Sequence, residues 1–172
     1  MLVTVLKGAP STSRIMMNSG FTDLLLGTLA VILVVAAVID VRTFTISNRL
    51  NVVVALLAPV FWWSVGLPLW PDAAILFAVA VGVFALLSIA FFAGMMGGGD
   101  VKLAAAVALW FSPAVTLRFL VFMSIAGGLL TLVVLVIHKV RSKEGRPEVP
   151  YGVAIAIGAL AILAQRFLNQ FA

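Results

Sequence analysis

Residues 73–102 read AAILFAVAVGVFALLSIAFFAGMMGGGDVK. No charge interrupts Ala73–Gly99, a run longer than the roughly 20 apolar residues that carry a helix across a bilayer. It stops at three glycines and Asp100. Working outward, further charge-free runs cover Leu24–Ile39, which ends at Asp40, and Leu50–Pro71 upstream. Leu103–Leu117, Phe119–Ile137 and Val149–Gln165 follow downstream. The pattern predicts an all-α polytopic membrane bundle of about six transmembrane helices with short loops. The fourth run is short and contains Pro113. Proline disfavours helix in the residue before it, so this helix is expected to stop near Ser112. It is either re-entrant or extended at its Asp100–Lys102 end.

Composition agrees. Of 172 residues, 64% are hydrophobic and 10% charged, against about 45–50% and about 25% in soluble domains. An ordinary cytosolic globule, a disordered chain and a nucleic-acid binder are excluded, despite the net charge of +5. There is no cysteine and a single histidine, His138. Thiolate chemistry, disulfides, iron–sulfur clusters and multi-histidine metal sites are therefore excluded, and no cofactor is expected. The first 20 residues carry no readable motif and are expected to be a flexible tail before a single integral-membrane domain at 21–170. A cleaved signal peptide is disfavoured, because five more spans follow the first.

Basic residues set the orientation. If the loop holding Arg42 and Arg49 faces the cytoplasm, so do Lys102, Lys139, Arg141, Lys143 and Arg146, provided the fourth segment crosses. Lys7, Arg14, Arg118 and Arg166 fall on the other side. The bias supports six spans with both termini outside, although Lys7 and Arg14 pull mildly the other way.

Asp40 and Asp100 then lie at the same membrane depth. Each opens a similar tripeptide, Asp40-Val41-Arg42 and Asp100-Val101-Lys102. Residues i and i+2 of a helix do not share a face, so the base can snorkel to headgroups while the acid turns inward. The run Gly94-Met95-Met96-Gly97-Gly98-Gly99 precedes Asp100. One glycine suffices to end a helix. Three leave two readings: close access of a substrate backbone, or a hinge with tight helix packing. Converging carboxylates cannot both ionise easily, and the pair holds a shared proton. One can then act as general base on water while the other, protonated, polarises a peptide carbonyl.

The other polar residues carry less. Asp23 and Asp72 sit where helix starts favour negative charge. Glu144 and Glu148 lie in a solvated loop, and His138 borders it. Trp62, Trp63 and Trp70 suit an aromatic belt or packing, as Met95 and Met96 suit packing. Val149-Pro150-Tyr151-Gly152 reads as a turn entering the last helix.

Gly97-Gly98-Gly99-Asp100 resembles the G-x-G-D signature of intramembrane aspartyl proteases. Its extension Val101-Lys102-Leu103 resembles the type IV prepilin peptidase branch. That branch also carries an upstream Asp and Arg followed by Ile-Pro-Asn, to which Asp40, Arg42 and Ile46-Ser47-Asn48 are similar. Its late Pro-Tyr-Gly is matched by Pro150-Tyr151-Gly152. The similarity spans about residues 25–165. Ser47 stands where the family usually has proline, a change expected to loosen that loop. The paired CxxC region of the long, methylating enzymes has no counterpart here. The resemblance is thus to the short, peptidase-only form found with tight-adherence (Flp) pili.

The resemblance implies an aspartic endopeptidase in the bacterial inner membrane. It would remove the short leader of a prepilin or pilin-like protein after a glycine at the cytoplasmic face, without N-methylation. Asp40 and Asp100 carry over as the catalytic pair, with base and acid unassigned. Gly97, Gly98, Gly99, Arg42, Lys102, Asn48, Pro150, Tyr151 and Gly152 carry over as substrate-binding. The partners implied are the pilin-like substrate and the lipid bilayer, with oligomeric state open. A rival class is a small proton- or cation-coupled transporter using the same two acids, although such sites usually lie deep in a span. A noncatalytic scaffold of a pilus machine is a third.

Overall fold

The structure is a computed structural model that describes residues 12–140 and 149–171. Six helices follow in order: α1 Thr12–Thr43, α2 Asn48–Ser64, α3 Ala74–Phe92, α4 Gly98–Ala108, α5 Pro113–Val140 and α6 Tyr151–Phe171. A short helical turn, Leu69–Ala73, leads into α3. Among the described residues, four segments are long and apolar enough to cross a membrane: Gly20–Thr43, Leu69–Phe92, Pro113–Val140 and Tyr151–Leu168. Their outward faces carry Val31, Phe77, Leu86, Ile89, Leu129 and Leu132, all largely exposed. Large apolar side chains on the outside of the bundle are what a lipid solvent requires. The protein is a helical membrane bundle. The expected tail 1–20 and the loop bearing Arg141, Lys143, Glu144, Arg146 and Glu148 fall wholly or partly outside the described residues.

Helix ends follow local chemistry. α3 stops where Gly94 takes φ 69. There Gly94 N–H donates to Phe91 O at 2.9 Å and Met95 N–H to Ala90 O at 2.9 Å. This is the paired-bond stop that a left-handed glycine permits. Gly66 ends α2 in the same way, at φ 68, with Gly66 and Leu67 donating to Trp63 and Trp62 carbonyls. α2 starts at Ser47, whose hydroxyl accepts from Leu50 N–H at 3.3 Å. Ser47 sits at φ −69, a value proline would also hold, and adds a helix cap that proline lacks.

The fourth and fifth segments divide differently from the expected runs. α4 ends at Ala108, short of Ser112, and α5 begins at Pro113 and so takes residues 113–117 from the fourth run. Proline is at home in the first turn of a helix, where its missing N–H is not needed. At about 1.5 Å per residue the 11 residues of α4 rise about 16 Å, short of the roughly 30 Å hydrocarbon core. A turn through Trp110 and Phe111 completes the passage towards the far end of α2. Indole N–H groups tie it to α2: Trp62 donates to Leu109 O at 2.8 Å and Trp110 to Val54 O at 3.1 Å.

Lipid gives helices little hydrophobic reason to associate, so close packing and interhelical hydrogen bonds hold the bundle. Small residues dominate the inner faces of α4 and α6, with Ala104, Ala106, Ala108, Ala154, Ala156 and Ala159 all buried. A Cβ on Gly158 would lie 2.9 Å from Met123 N, so α5 and α6 meet backbone to backbone. On α1 the buried stripe is Leu26, Leu29, Leu33, Ala36 and Asp40. The alternating steps of three and four are a helix face, and Asp40 is its last member.

Candidate active site

One end of the bundle gathers the C-terminal end of α1 and the N-terminal ends of α2, α4 and α6. Asp40 arrives on the inner face of α1 and is 1% exposed. The free N–H groups at the start of α6 meet it, and Gly152 N–H donates to Asp40 Oδ2 at 2.6 Å. A helix N-terminus is suited to an anion. Only glycine permits this approach: a Cβ on Gly152 would stand 2.8 Å from Asp40 Oδ2 and 2.6 Å from Ile46 Cδ1.

Asp100 is the third residue of α4 and is 6% exposed. Gly97 caps the helix in an extended conformation, and its carbonyl accepts from Asp100 and Val101 N–H at 3.1 and 3.2 Å. Asp100 lies outside the four long apolar segments. Burial, and next the charge of nearby Asp40, push its carboxyl up to about 7, against the opposing pull of the Gly97 N–H. Its Oδ1 is buried with no hydrogen-bond partner.

The three glycines do three different things. A Cβ on Gly97 would come 2.8 Å from Asp100 Oδ2, one on Gly98 would meet the Phe91 ring at 3.2 Å, and one on Gly99 would strike Ile46 O at 2.6 Å. Gly99 thus serves tight packing against the α1–α2 loop. Ile46, buried in that loop, touches both Gly99 and Gly152 and so wedges between the starts of α4 and α6.

The remaining candidate residues separate. Lys102 Nζ donates to Asn48 Oδ1 at 2.9 Å, at the rim of a cavity between α2, α3 and α4. Pro150 is buried, and the Tyr151 hydroxyl lies 3.4 Å from Thr131 Oγ1. Arg42 faces outward and lines a different groove, between α1 and α6. Among the described residues no three of His, Asp and Glu converge as a metal site would need. Trp62 packs inward, whereas Trp63 and Trp70 are exposed at the opposite end. Two residues at the site were missed by motif reading. Ile46 enters the sequence pattern only as a letter of Ile46-Ser47-Asn48, and Asn51, whose Nδ2 donates to Gly99 O at 2.9 Å, belongs to no motif.

Membrane helices that bury two carboxylates at one end define an integral membrane protein with a candidate acid–base centre. Residues 27–132 match the model of the type IV leader peptidase family, more than half of the chain, and the chain belongs to that family. It is a membrane-embedded protease whose family acts on prepilin-type substrates. The match includes Asp40 and Asp100 but not Gly152, which the fold brings to Asp40. Comparison with curated proteins and with solved structures gave no match.

Proposed function

We propose that the chain is an aspartic endopeptidase that removes the leader of a prepilin or pilin-like protein, with Asp40 and Asp100 as the catalytic pair. The observation that carries this reading is the convergence of two buried acids from separate helices, Asp40 on Gly152 N–H and Asp100 with an unpartnered oxygen. With one proton between them, the ionised carboxylate takes a proton from water as it attacks the scissile carbonyl. The protonated one donates towards the carbonyl oxygen. As the tetrahedral adduct collapses, its hydroxyl returns that proton to the second carboxylate, the C–N bond breaks and the leaving nitrogen takes the proton that the first had removed from water.

The bond would be cut at the cytoplasmic face of a bacterial inner membrane. Supporting this, Arg42, Arg49 and Lys102 flank the aspartate end, while Arg118 and Arg166 line a cavity at the other. The proposal extends to the short Flp-type form and a product that is not N-methylated. The test is co-expression with candidate prepilins, read by gel shift and by sequencing of the new N-terminus. Wild type should trim the leader, while Asp40→Asn and Asp100→Asn insert into membranes but do not cut. Persistent cleavage by either variant would sink the two-aspartate mechanism. Absence of cleavage by wild type would turn attention to ion flux in liposomes.

A further inference from the structure

Asn51 lies in the first turns of α2 and is 5% exposed. Its Nδ2 donates to Gly99 O at 2.9 Å. A carbonyl can only accept, so this bond fixes the amide's orientation and makes Oδ1 the free end. That oxygen is buried and has no partner. A buried acceptor left unmade is costly. Asn51 lines the cavity between α2, α3 and α4, of about 480 Å³. Val52, Ala55, Phe84 and Ala105 make its walls apolar. Asn48 and Lys102 also line it but hydrogen-bond to each other, so Asn51 is the lining residue with a buried, unpartnered side-chain acceptor. A lipid tail filling this space would bring no donor. An extended peptide would, because every residue except proline presents a backbone N–H.

We propose that Asn51 is a substrate-positioning residue. Its Nδ2 holds the Gly99 carbonyl, and with it the α4 turn that carries Asp100. Its Oδ1 accepts a backbone N–H of the extended substrate beside the bond to be cut. This rests on the peptidase reading above and adds to it a specific contact for substrate backbone. The two ends of one amide therefore fix the substrate strand and the turn bearing Asp100 relative to each other.

The test is an ester scan. A synthetic substrate spanning the leader junction is made with one backbone amide at a time replaced by an ester, which deletes a single N–H. Each is given to the purified full-length protein in lipid vesicles, as wild type, Asn51→Ala and Asn51→Leu. The leucine variant keeps the bulk and suits an apolar interior. For wild type, one ester near the scissile bond should lower kcat/KM roughly tenfold, mostly through KM, the size of one hydrogen bond. In either Asn51 variant that ester should cost nothing further, while kcat on the all-amide substrate falls because the Gly99 clamp is gone. A merely structural asparagine would lower activity without erasing the sensitivity to one ester. The inference is overturned if wild type shows no sensitive position, or if the ester profile is the same with and without Asn51. Failure of wild type to cut the all-amide substrate would instead overturn the peptidase reading, and the Asn51 role with it.

Discussion

Alanine placed at each of the three glycines before Asp100 should give three distinct outcomes, because each would meet a different neighbour. At Gly99 the new Cβ lies 2.6 Å from the Ile46 carbonyl oxygen, where ordinary contact begins at 3.4 Å. Main chain on both sides must therefore separate by about 0.8 Å, or α4 must roll. Ile46 cannot rotate away, since the clash is with its backbone. Overpacking of this kind costs about 1–3 kcal/mol. It also stretches the Asn51–Gly99 bond and shifts Asp100, and misplacing a reacting group by about 1 Å costs on the order of 10²-fold in rate. At Gly98 the obstacle is the edge of the Phe91 ring at 3.2 Å. That side chain is exposed and can swing. Alanine also gains about 0.5–1 kcal/mol over glycine in a helix, so Gly98→Ala should be neutral or slightly stabilising. At Gly97 the Cβ meets only Asp100 Oδ2, at 2.8 Å. The fold should tolerate this, but the carboxylate is displaced and kcat should fall roughly tenfold or more with KM little changed. The assays are thermal unfolding in one detergent and leader cleavage at saturating substrate. Full activity and unchanged stability in Gly99→Ala would refute the close approach of α4 to the Ile46 loop. A Gly98→Ala defect larger than that of Gly99→Ala would refute the assignment of neighbours.

Gly152→Ala places a methyl 2.8 Å from Asp40 Oδ2 and should lower cleavage by about 10²-fold with a smaller loss of stability, measured by the same two assays. For Asp100, a folded-state pKa of about 7 against an ordinary 3.8 means that the folded protein holds this proton longer than the unfolded chain. Its contribution to stability is fully present below about pH 4 and is lost as pH rises through about 7. Thermal unfolding of wild type should therefore weaken over that window. Asp100→Asn should flatten it and be the more stable at pH 8, by on the order of a few kcal/mol; identical pH profiles for the two would contradict the burial of this carboxyl. Ser47→Ala should cost about 1 kcal/mol through the lost cap, whereas Ser47→Pro, compatible with φ −69, should stay within about 0.5 kcal/mol of wild type because it also restricts the unfolded chain. A larger loss in the proline variant than in the alanine variant, by chemical denaturation, would rule that account out.

The inward placement of Asp40 was legible in the sequence because it continues the steps of Leu26, Leu29, Leu33 and Ala36. The outer side of the same helix is valine-rich, with Val31, Val34, Val38 and Val41 towards lipid. The helix stops at Gly66 and Gly94 and the start at Pro113 have local causes, but the charge-free runs that place the spans pass through all three residues. The division between α4 and α5 was misplaced because nothing local stops α4 at Ala108. The stop comes from tertiary hydrogen bonds of Trp62 and Trp110 to distant carbonyls. Asn51 was illegible for the same reason. Its importance lies in a partner on another helix, and a lone asparagine in an apolar run has no spacing to read. Ile46 was visible only as a motif letter, because a buried isoleucine does not announce what it separates.

The site is assembled by contacts that a membrane makes unusually consequential. Gly152 and Gly99 belong to different helices, yet both lean on Ile46, so one side chain and its carbonyl set how far the start of α6 stands from the start of α4. Asp40 is held from the α6 side through Gly152 N–H, and Asp100 from the α2 side through the Asn51–Gly99 bond. The two acids are thus positioned by opposite flanks of the same loop rather than by each other.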